Sequence, residues 1–214
     1  YKLDFFNQKF ISTAINTLYL SVAAAFLCTI LALFINFSIR YKPNNALKFL
    51  SSFLTVGYAV PGLILAIGVM RLLTFLDRSF TIEMFNLILT GSLFGLIMAY
   101  IIKSYALSST TFDAGFQRIS PRIDDVAKSL KTSGLGLLSK IHIPLLKTSF
   151  LTSMLLVVAE VIKELPATLI LRPFNFDTLA VSTYIYAAEE RMYDAAAPSI
   201  AIVMGGLIPI IILT

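Results

Sequence analysis

Residues 122–147, with the sequence RIDDVAKSLKTSGLGLLSKIHIPLLK, form the one long polar interval between the very apolar runs of this chain. Apolar or small side chains recur in it at steps of three and four residues, and this spacing places them on one face of a helical segment. The residues on this face are Ile123, Val126, Leu130, Gly134, Leu137, Leu138 and Ile141. Because the charged residues lie mostly elsewhere, the pattern predicts an amphipathic element that docks through its apolar face.

The start of this helical segment is well marked in the sequence. Ser120 is a good N-cap, and Pro121 suits the first helical position. Asp124 and Asp125 follow near the positive end of the helix dipole, where carboxylates are favourable. We therefore expect a helix that begins at Pro121, with a turn further along at the glycines and a stop or kink at Pro144.

The composition is that of a membrane protein. Of the 214 residues, 57% are hydrophobic and 14% are charged, whereas a soluble domain has about 25% charged residues. The apolar runs are too long for the core helices of a soluble domain and alternate with short charged intervals, which is typical of a polytopic helical bundle. The net charge of +5 is explained by basic residues at cytoplasmic helix ends, so we expect no nucleic-acid partner.

Hydropathy predicts about five membrane spans in a single domain that covers residues 1–214. They are residues 10–39, 49–73, 84–102, 148–171 and 195–214, with a compact outer loop at Asp77, Arg78 and Glu83 and a looped outer segment at 172–194. Basic residues place the turn near Lys42 and the interval 104–147 in the cytoplasm, with the N-terminus outside. Since the chain begins with Tyr1 and ends inside an apolar run, we expect it to be a piece of something longer.

Signature motifs of soluble enzymes are absent from the sequence: there is no GxxxxGK[ST], GxSxG, HExxH or CxxC. His142 is the single histidine, which rules out a multi-histidine metal site, and we expect it to be a partly exposed helix residue at an interface. Cys28 lies inside an apolar run and is predicted to be a small packing residue. We therefore expect a chain without a catalytic site or a bound cofactor of its own.

The polar interval resembles the cytoplasmic motif of binding-protein-dependent ABC importer permeases, which reads EAA, three residues, G, nine residues, I, one residue, LP. Asp125, Val126 and Ala127 take the EAA places, and Lys131 stands at the glycine place. Lys131 departs from the motif, and Gly134 is the alternative position for the turn. Ile141, Ile143 and Pro144 take the remaining motif places.

In this family the segment forms short helices that fit a groove on the ATPase subunit, so the resemblance implies an ATPase-docking site. Its expected residues are Asp124, Asp125, Val126, Ala127, Leu130, Lys131, Gly134, Ile141, Ile143 and Pro144.

Two further phrases are similar to the ferric iron importer permeases of bacteria: VIKELPATLILRPFNFDTLA at 161–180 and YAVPG at 58–62. This resemblance covers nearly the whole chain and is to the second of two halves that are commonly fused. It implies an all-α type I importer permease in the inner membrane that works by alternating access, with Fe³⁺ as cargo. The implied partners are a dimer of ATPase subunits holding ATP and Mg²⁺, a second permease half, membrane lipid and a periplasmic or extracellular binding protein.

Charged residues within the fourth predicted span are candidates for the path of the cation. Ferric iron prefers carboxylate and phenolate oxygens, and Glu160 lies about 18 Å into the membrane, counted from Thr148. Glu160 and Glu164 are four residues apart and are predicted to share a helix face as metal ligands. The alternative is structural: Lys163 neutralises Glu160, and the group orients a helix break before Pro166.

The outer loop is the better candidate for contact with a loaded binding protein, through Asp177, Tyr184, Glu189 and Glu190. Two other functions stay open. One keeps the importer and changes the cargo to thiamine, polyamine, sulfate or another anion. The other is a secondary transporter driven by an ion gradient, in which Glu160 and Glu164 are the coupling carboxylates.

Overall fold

The computed structural model describes residues 7–80 and 89–213, and in these residues every regular element is helical. The longer helices are α1 (Gln8–Tyr41), α2 (Asn45–Val56), α3 (Gly62–Phe80), α4 (Leu93–Gln117), α8 (Lys147–Ile162), α10 (Leu179–Ala188) and α11 (Met192–Leu213). The shorter ones are α5 (Pro121–Ser129), α6 (Leu135–Leu137), a π-helical turn (Leu138–His142), α7 (Ile143–Leu145) and α9 (Pro166–Leu171). The predicted all-α class is confirmed.

The centre of the bundle is formed by α1 packed against α4 and α8. Small residues of α1 allow the close approach: Ala24, Ala25, Cys28 and Ala32 are all fully buried. Short polar side chains join the helices, because the hydroxyls of Thr29 and Ser153 lie 2.9 Å apart, and Cys28 lies 3.4 Å from the hydroxyl of Ser108. The interpretation of Cys28 as a packing residue is confirmed.

Helix α4 continues well past the predicted end of the third span at residue 102. The less apolar residues 104–117 belong to α4, and several of their polar side chains are buried in the bundle. Ser109 accepts a hydrogen bond from Asn36, and the Tyr105 hydroxyl lies 3.1 Å from that of Ser51. The helix therefore extends to Gln117, because the buried hydroxyls that lower the hydropathy of this stretch do not interrupt it, and residues 118–147 lie beyond the helix.

The second predicted span, 49–73, is two helices rather than one. Residues 57–61 separate α2 from α3, and Pro61 directly precedes Gly62, the first residue of α3. A proline lacks the N–H that a continuous helix needs, so the chain breaks here. Asp77 and Arg78 lie within α3 instead of in the predicted loop, and Glu83 lies outside the described residues.

Two other boundaries differ from prediction at the end of the chain. Helix α8 ends at Ile162, and residues 166–171 form the separate α9, because Pro166 begins a new helix. The outer segment 172–194 is only partly a loop, since it contains α10, and α11 already begins at Met192. Asp194 falls in the first turn of α11, where a carboxylate favours the helix dipole.

Three of the described helices are long and apolar enough to cross a membrane, namely α1, α4 and α11. A fourth span results if α8 is counted together with the segment Leu135–Leu145 before it, from which it is bent by 76°. The remaining predicted span corresponds to α2 and α3. Several helices of this chain are therefore suited to span a membrane.

Helix α1 contacts different parts of the chain at its two ends. Near its start, Thr17 accepts a hydrogen bond from the Leu179 amide, and Asn16 donates one to the Asp177 carbonyl. At its other end, Arg40 contacts the segment that follows α4. These contacts are 23 residues apart on one helix, about 35 Å at 1.5 Å per residue, which is enough to place them on opposite sides of a membrane.

Candidate functional site

Helix α5 begins as the sequence predicts. Ser120 is the N-cap, its hydroxyl accepts a hydrogen bond from the Arg122 amide at 3.4 Å, and Pro121 is the first helical residue. The predicted helix start is therefore confirmed.

The end of α5 explains the departure at Lys131. This residue has a φ of +58°, the left-handed conformation in which glycine is favoured. The Thr132 amide donates to the Ala127 carbonyl at 2.9 Å, and the Lys131 amide donates to the Lys128 carbonyl at 2.9 Å. These two bonds form a Schellman motif, so the turn falls at the place where the permease motif has glycine. Gly134 also has a positive φ, +56°, and forms a second turn before α6.

Lys131→Gly is therefore expected to stabilise the end of α5 by about 1 kcal/mol, because glycine adopts the left-handed conformation without the steric cost that a β-carbon imposes. Hydrogen exchange of the amides in residues 126–132 measures this, and we expect about fivefold slower exchange. Gly134→Ala is the matched control and is expected to accelerate exchange, since its positive φ is strained for alanine. Equal exchange in Lys131→Gly and the unchanged chain would contradict the assignment of the turn.

The apolar residues of the segment are divided between two surfaces. Ile123, Val126 and Leu130 lie on the exposed side of α5, with Val126 60% and Leu130 75% exposed. We call these three residues the α5 apolar face. Leu137 and Leu138, which the periodicity assigned to the same face, are buried in the core. A single continuous face is therefore wrong, because the turns at Lys131 and Gly134 reorient the chain between the two groups.

Arg40 anchors this segment to the bundle. Its guanidinium donates to the Phe116 carbonyl at 2.6 Å and to the Ile119 carbonyl at 2.9 Å, so it caps the end of α4. The same guanidinium donates to the Asp124 carboxylate at 2.8 Å. Both side chains of this ion pair are mostly buried, at 16% and 14% exposure. One residue of α1 thus fixes the end of α4 to the start of α5.

His142 completes this anchor from the π-helical turn. Its ring is fully buried between Phe37 and Phe116, with centroids 5.6 and 5.4 Å away, and Nε2 lies 3.1 Å from Oδ1 of Asp124. Burial lowers the pKa of His142 below its ordinary value and outweighs the opposite effect of the Asp124 carboxylate; the Arg40 charge lowers it further. The neutral imidazole is therefore favoured at pH 7. The prediction of a partly exposed histidine is wrong, because the π-helical turn packs this residue against Phe37 and Phe116.

The residues predicted for docking thus occupy different surroundings. Asp124 and Ala127 point into the bundle, whereas Asp125 is exposed, with only a 4.0 Å approach to Lys128. Ile143 and Pro144 are exposed beyond the π-helical turn, and Ile141 is half-buried. Asp124 is therefore an anchor residue, and the surface that α5 itself exposes consists of the α5 apolar face with Asp125 beside it.

The two carboxylates predicted as metal ligands are each neutralised by a different lysine. Glu160 pairs with Lys163 at 3.0 Å, as the structural alternative proposed. Glu164 pairs with Lys103 of α4 at 2.5 Å. The shared helix face is wrong, because α8 ends at Ile162 and Glu164 lies in the break before α9. Among the described residues, no three histidine, cysteine or acidic side chains are grouped to hold a metal ion.

The outer candidates lie at the far end of the molecule from α5. Asp177 is ion-paired with Arg172 and borders a cavity of about 400 Å³ whose other lining residues include Leu169 and Phe174. Glu189 pairs with Arg191 at 3.2 Å, Tyr184 is half-exposed, and Glu190 is exposed. Asp177 lies before α10, Tyr184 lies within α10, and Glu189 and Glu190 lie in the turn that follows it.

The sequence patterns did not indicate that Arg40 and Lys103 form buried ion pairs, or that Asp124 points into the bundle. Arg40 was interpreted only as a basic residue at a helix end, and Lys103 as the inner end of a span. One signal was available for Lys103: a lysine within a run that is otherwise apolar or hydroxylated needs a charged partner in a membrane protein.

Known proteins with similar sequences are transport permeases. The chain is 26% identical over 216 residues to an Fe(3+)-transport system permease protein of Haemophilus influenzae, a match that covers 96% of this chain and 39% of that protein. It is 28% identical over 115 residues to a protein of Salmonella typhimurium described as a 2-aminoethylphosphonate transport system permease protein, over 54% of this chain and 43% of that protein. The chain thus spans about two fifths of the length of the curated relatives it matches. No protein-family profile matches it.

Solved structures give the fold. A chain of the bacterial alginate ABC transporter, in complex with an alginate-bound periplasmic protein, superposes with a TM-score of 0.71 at 16% identity, over 98% of this chain and 77% of that one. A second structure of a bacterial ABC transporter, involved in alginate import, gives a TM-score of 0.67 over 98% of this chain and 78% of that one. This chain accordingly has the all-helical fold of an ABC transporter permease, and its sequence is similar to those of bacterial transport system permeases.

Proposed function

We propose that this chain is a membrane-spanning permease subunit of an ATP-driven, binding-protein-dependent importer in the bacterial inner membrane. The observation that carries the proposal is the α5 apolar face, which is exposed while α5 itself is held by the buried Arg40–Asp124 ion pair. An exposed apolar face on a firmly anchored helix suits a permanent protein partner. That partner would be the ATPase dimer, which binds ATP and Mg²⁺, so the chain needs no catalytic site of its own.

For the mechanism, we propose that two permease halves rock between an outward-open and an inward-open arrangement. A rigid α5 transmits the movement of the ATPase subunits, because Arg40 ties it directly to α1 and α4. On the outer side, the loops with Asp177 and Glu189 would meet the substrate-loaded binding protein.

For the cargo, we propose ferric iron. The support is the phrase at 161–180 and the similarity to the iron transport permease, which extends over 96% of this chain. The relative named for 2-aminoethylphosphonate makes an anion the alternative cargo. Binding assays on the cognate binding protein, with Fe³⁺ in one arm and 2-aminoethylphosphonate in the other, test this proposal. A binding protein that retains the phosphonate and not iron would overturn the cargo and leave the permease assignment standing.

The docking proposal predicts that Val126→Asp and Leu130→Asp each weaken ATPase binding about tenfold, because a carboxylate would be buried in an apolar contact. The measurement is co-purification of the ATPase subunits with the assembled permease, together with transport. Met192→Asp is the matched control, since Met192 is 64% exposed but lies at the opposite end of the molecule. Ala127 is unsuitable for this test, because it is buried and its replacement would unfold α5.

The same experiment separates the importer from a secondary transporter driven by an ion gradient. A secondary transporter has no stoichiometric ATPase, and its transport would survive both α5 substitutions. Unchanged ATPase binding in Val126→Asp and Leu130→Asp would place the docking surface elsewhere.

A further inference from the structure

The face of α4 that carries Lys103 is buried on the N-terminal side of this residue and exposed on its C-terminal side. Leu96, Ala99 and Tyr100 are buried in the bundle, whereas Thr110, Asp113 and Gln117 are exposed. These three residues follow Lys103 by 7, 10 and 14 positions, so they share one helix face with it. We call the four residues the α4 polar stripe.

The stripe is costly if it faces lipid. Helix α4 is long and apolar enough to cross the membrane, and an ionisable residue on a lipid-facing side of such a helix is strongly unfavourable. The polar groups beyond Lys103 find partners within the helix: Thr110 donates to the Ala106 carbonyl at 2.8 Å, and Gln117 donates to Asp113 at 2.8 Å. The stripe therefore needs no polar partner from another chain, and it suits a surface in contact with water.

Lys103, the N-terminal residue of the stripe, forms an ion pair with Glu164. The Lys103 ammonium lies 2.5 Å from Oε2 of Glu164, and the two side chains are only 17% and 7% exposed. Oε1 of Glu164 also accepts a hydrogen bond from the Ala167 amide at 3.3 Å, which joins the carboxylate to the start of α9. A buried pair of this kind is stable only while both partners stay in contact, because a single buried charge is uncompensated.

The ion pair also lies where two interrupted helices meet. Glu164 occupies the break between α8 and α9, and Gly62 begins α3 after the break at 57–61. A β-carbon at Gly62 would lie 2.8 Å from Oε1 of Glu164 and 3.2 Å from the Lys103 ammonium, so α3 presses directly on the pair. Breaks of this kind are positions at which helix segments change their relative orientation. A movement of either segment would separate the two charges.

We propose that the α4 polar stripe lines the cytoplasmic half of a water-filled cargo path, and that the Lys103–Glu164 ion pair closes this path at its outer end. Opening then consists of separating the pair through movement at the two helix breaks. The inference rests on the proposed permease function. It adds the position of a gate and the residues of α4 that line the path on its cytoplasmic side.

The lining is tested by thiol labelling of the assembled transporter in inside-out vesicles, with a positively charged, membrane-impermeant methanethiosulfonate as the probe. Cys28 is fully buried, and Cys28→Ser removes the single cysteine of this chain; rates are compared with those of the transporter that carries only this substitution. We expect Thr110→Cys and Gln117→Cys to react at least tenfold faster than Leu27→Cys, which is an exposed apolar position of α1. Equal rates at the three positions would show that lipid or the second half covers the stripe, and would overturn the proposal.

The gate is tested from the other side of the membrane with the same probe. With the ion pair intact, we expect Thr110→Cys to be protected from outside, and we expect Glu164→Gln or Lys103→Gln to raise its rate at least tenfold. The charge-swapped variant with Lys103→Glu and Glu164→Lys is expected to restore protection, and Asp194→Asn, in an exposed outer ion pair, is the control. Unchanged protection in both single variants would overturn the gate.

These outcomes are independent of the docking test. Labelling from either side needs no ATP hydrolysis, so a failure of ATPase binding in Val126→Asp leaves the labelling pattern readable. A correct lining pattern with no dependence on Lys103 or Glu164 would contradict only the gate.

Discussion

Asp124→Ala is expected to release the start of α5 from the bundle and to lower transport at least tenfold. The substitution leaves the guanidinium of Arg40 mostly buried without its carboxylate, and loss of one partner from a buried pair costs about 3 kcal/mol or more. It also removes the group that His142 faces at 3.1 Å. We expect hydrogen exchange of residues 121–130 to become about 100-fold faster, since each factor of ten corresponds to about 1.4 kcal/mol.

The matched control is Asp194→Ala. Asp194 also pairs with an arginine, Arg191, at 2.7 Å, but both side chains are about half-exposed, at 53% and 52%. An exposed pair of this kind contributes about 1 kcal/mol or less, so exchange and transport should stay close to those of the unchanged chain. If both substitutions had the same small effect, the Arg40–Asp124 pair would not be an anchor.

Arg40→Lys tests whether the anchor needs only the positive charge of Arg40 or also the hydrogen-bonding geometry of its guanidinium. Lysine keeps the positive charge but cannot donate to the Phe116 carbonyl, the Ile119 carbonyl and Asp124 together, as the guanidinium does. We expect ATPase binding to persist in this variant, because the α5 apolar face is unchanged, while transport per ATP hydrolysed falls. A purely structural role would lower both quantities together.

Local signals in the sequence predicted much of α5. Ser120 and Pro121 mark its start through chemistry that acts within three residues, whereas the position of the turn after it stayed open between Lys131 and Gly134. Both residues have a positive φ, and the two capping bonds to Ala127 and Lys128 end α5 at Lys131.

The Arg40–Asp124 anchor and the Lys103–Glu164 pair depend on contacts that no local pattern contains. Arg40 and Asp124 are 84 residues apart, and Lys103 and Glu164 are 61 residues apart. Hydropathy also ended α4 too early, since it scores a buried serine such as Ser108 in the same way as an exposed one. Periodicity predicted a single face for residues 123–141, because it assumes one uninterrupted helix, and the two positive-φ turns remove that premise.

Gly57→Ala is expected to be the most destabilising small substitution in the membrane part of the chain, at more than about 3 kcal/mol. A β-carbon at Gly57 would lie 2.4 Å from the Ile102 carbonyl oxygen and 3.2 Å from its carbonyl carbon. These are backbone atoms of α4, so no side-chain rotation relieves the clash. The backbone at Gly57 has a φ of −54°, which alanine adopts freely. The expected destabilisation therefore comes from the steric clash with α4 and not from backbone strain.

Gly68→Ala provides the opposite case in the neighbouring helix. Gly68 lies in the interior of α3, and a β-carbon there would meet no atom within 4 Å. Alanine is favoured over glycine in a helix by up to about 1 kcal/mol, so this variant should be neutral or slightly more stable. Thermal unfolding of the two purified variants in detergent is the measurement: we expect a large decrease in melting temperature for Gly57→Ala and none for Gly68→Ala.

The Gly57 substitution should also affect the Lys103–Glu164 pair, because Ile102 precedes Lys103 and displacement of α4 at Gly57 should separate the two charges. If Gly57→Ala can be purified, Thr110→Cys in this variant should react with the thiol probe from outside. A Gly57→Ala protein with the original melting temperature would show that α2 and α4 are not in this close contact.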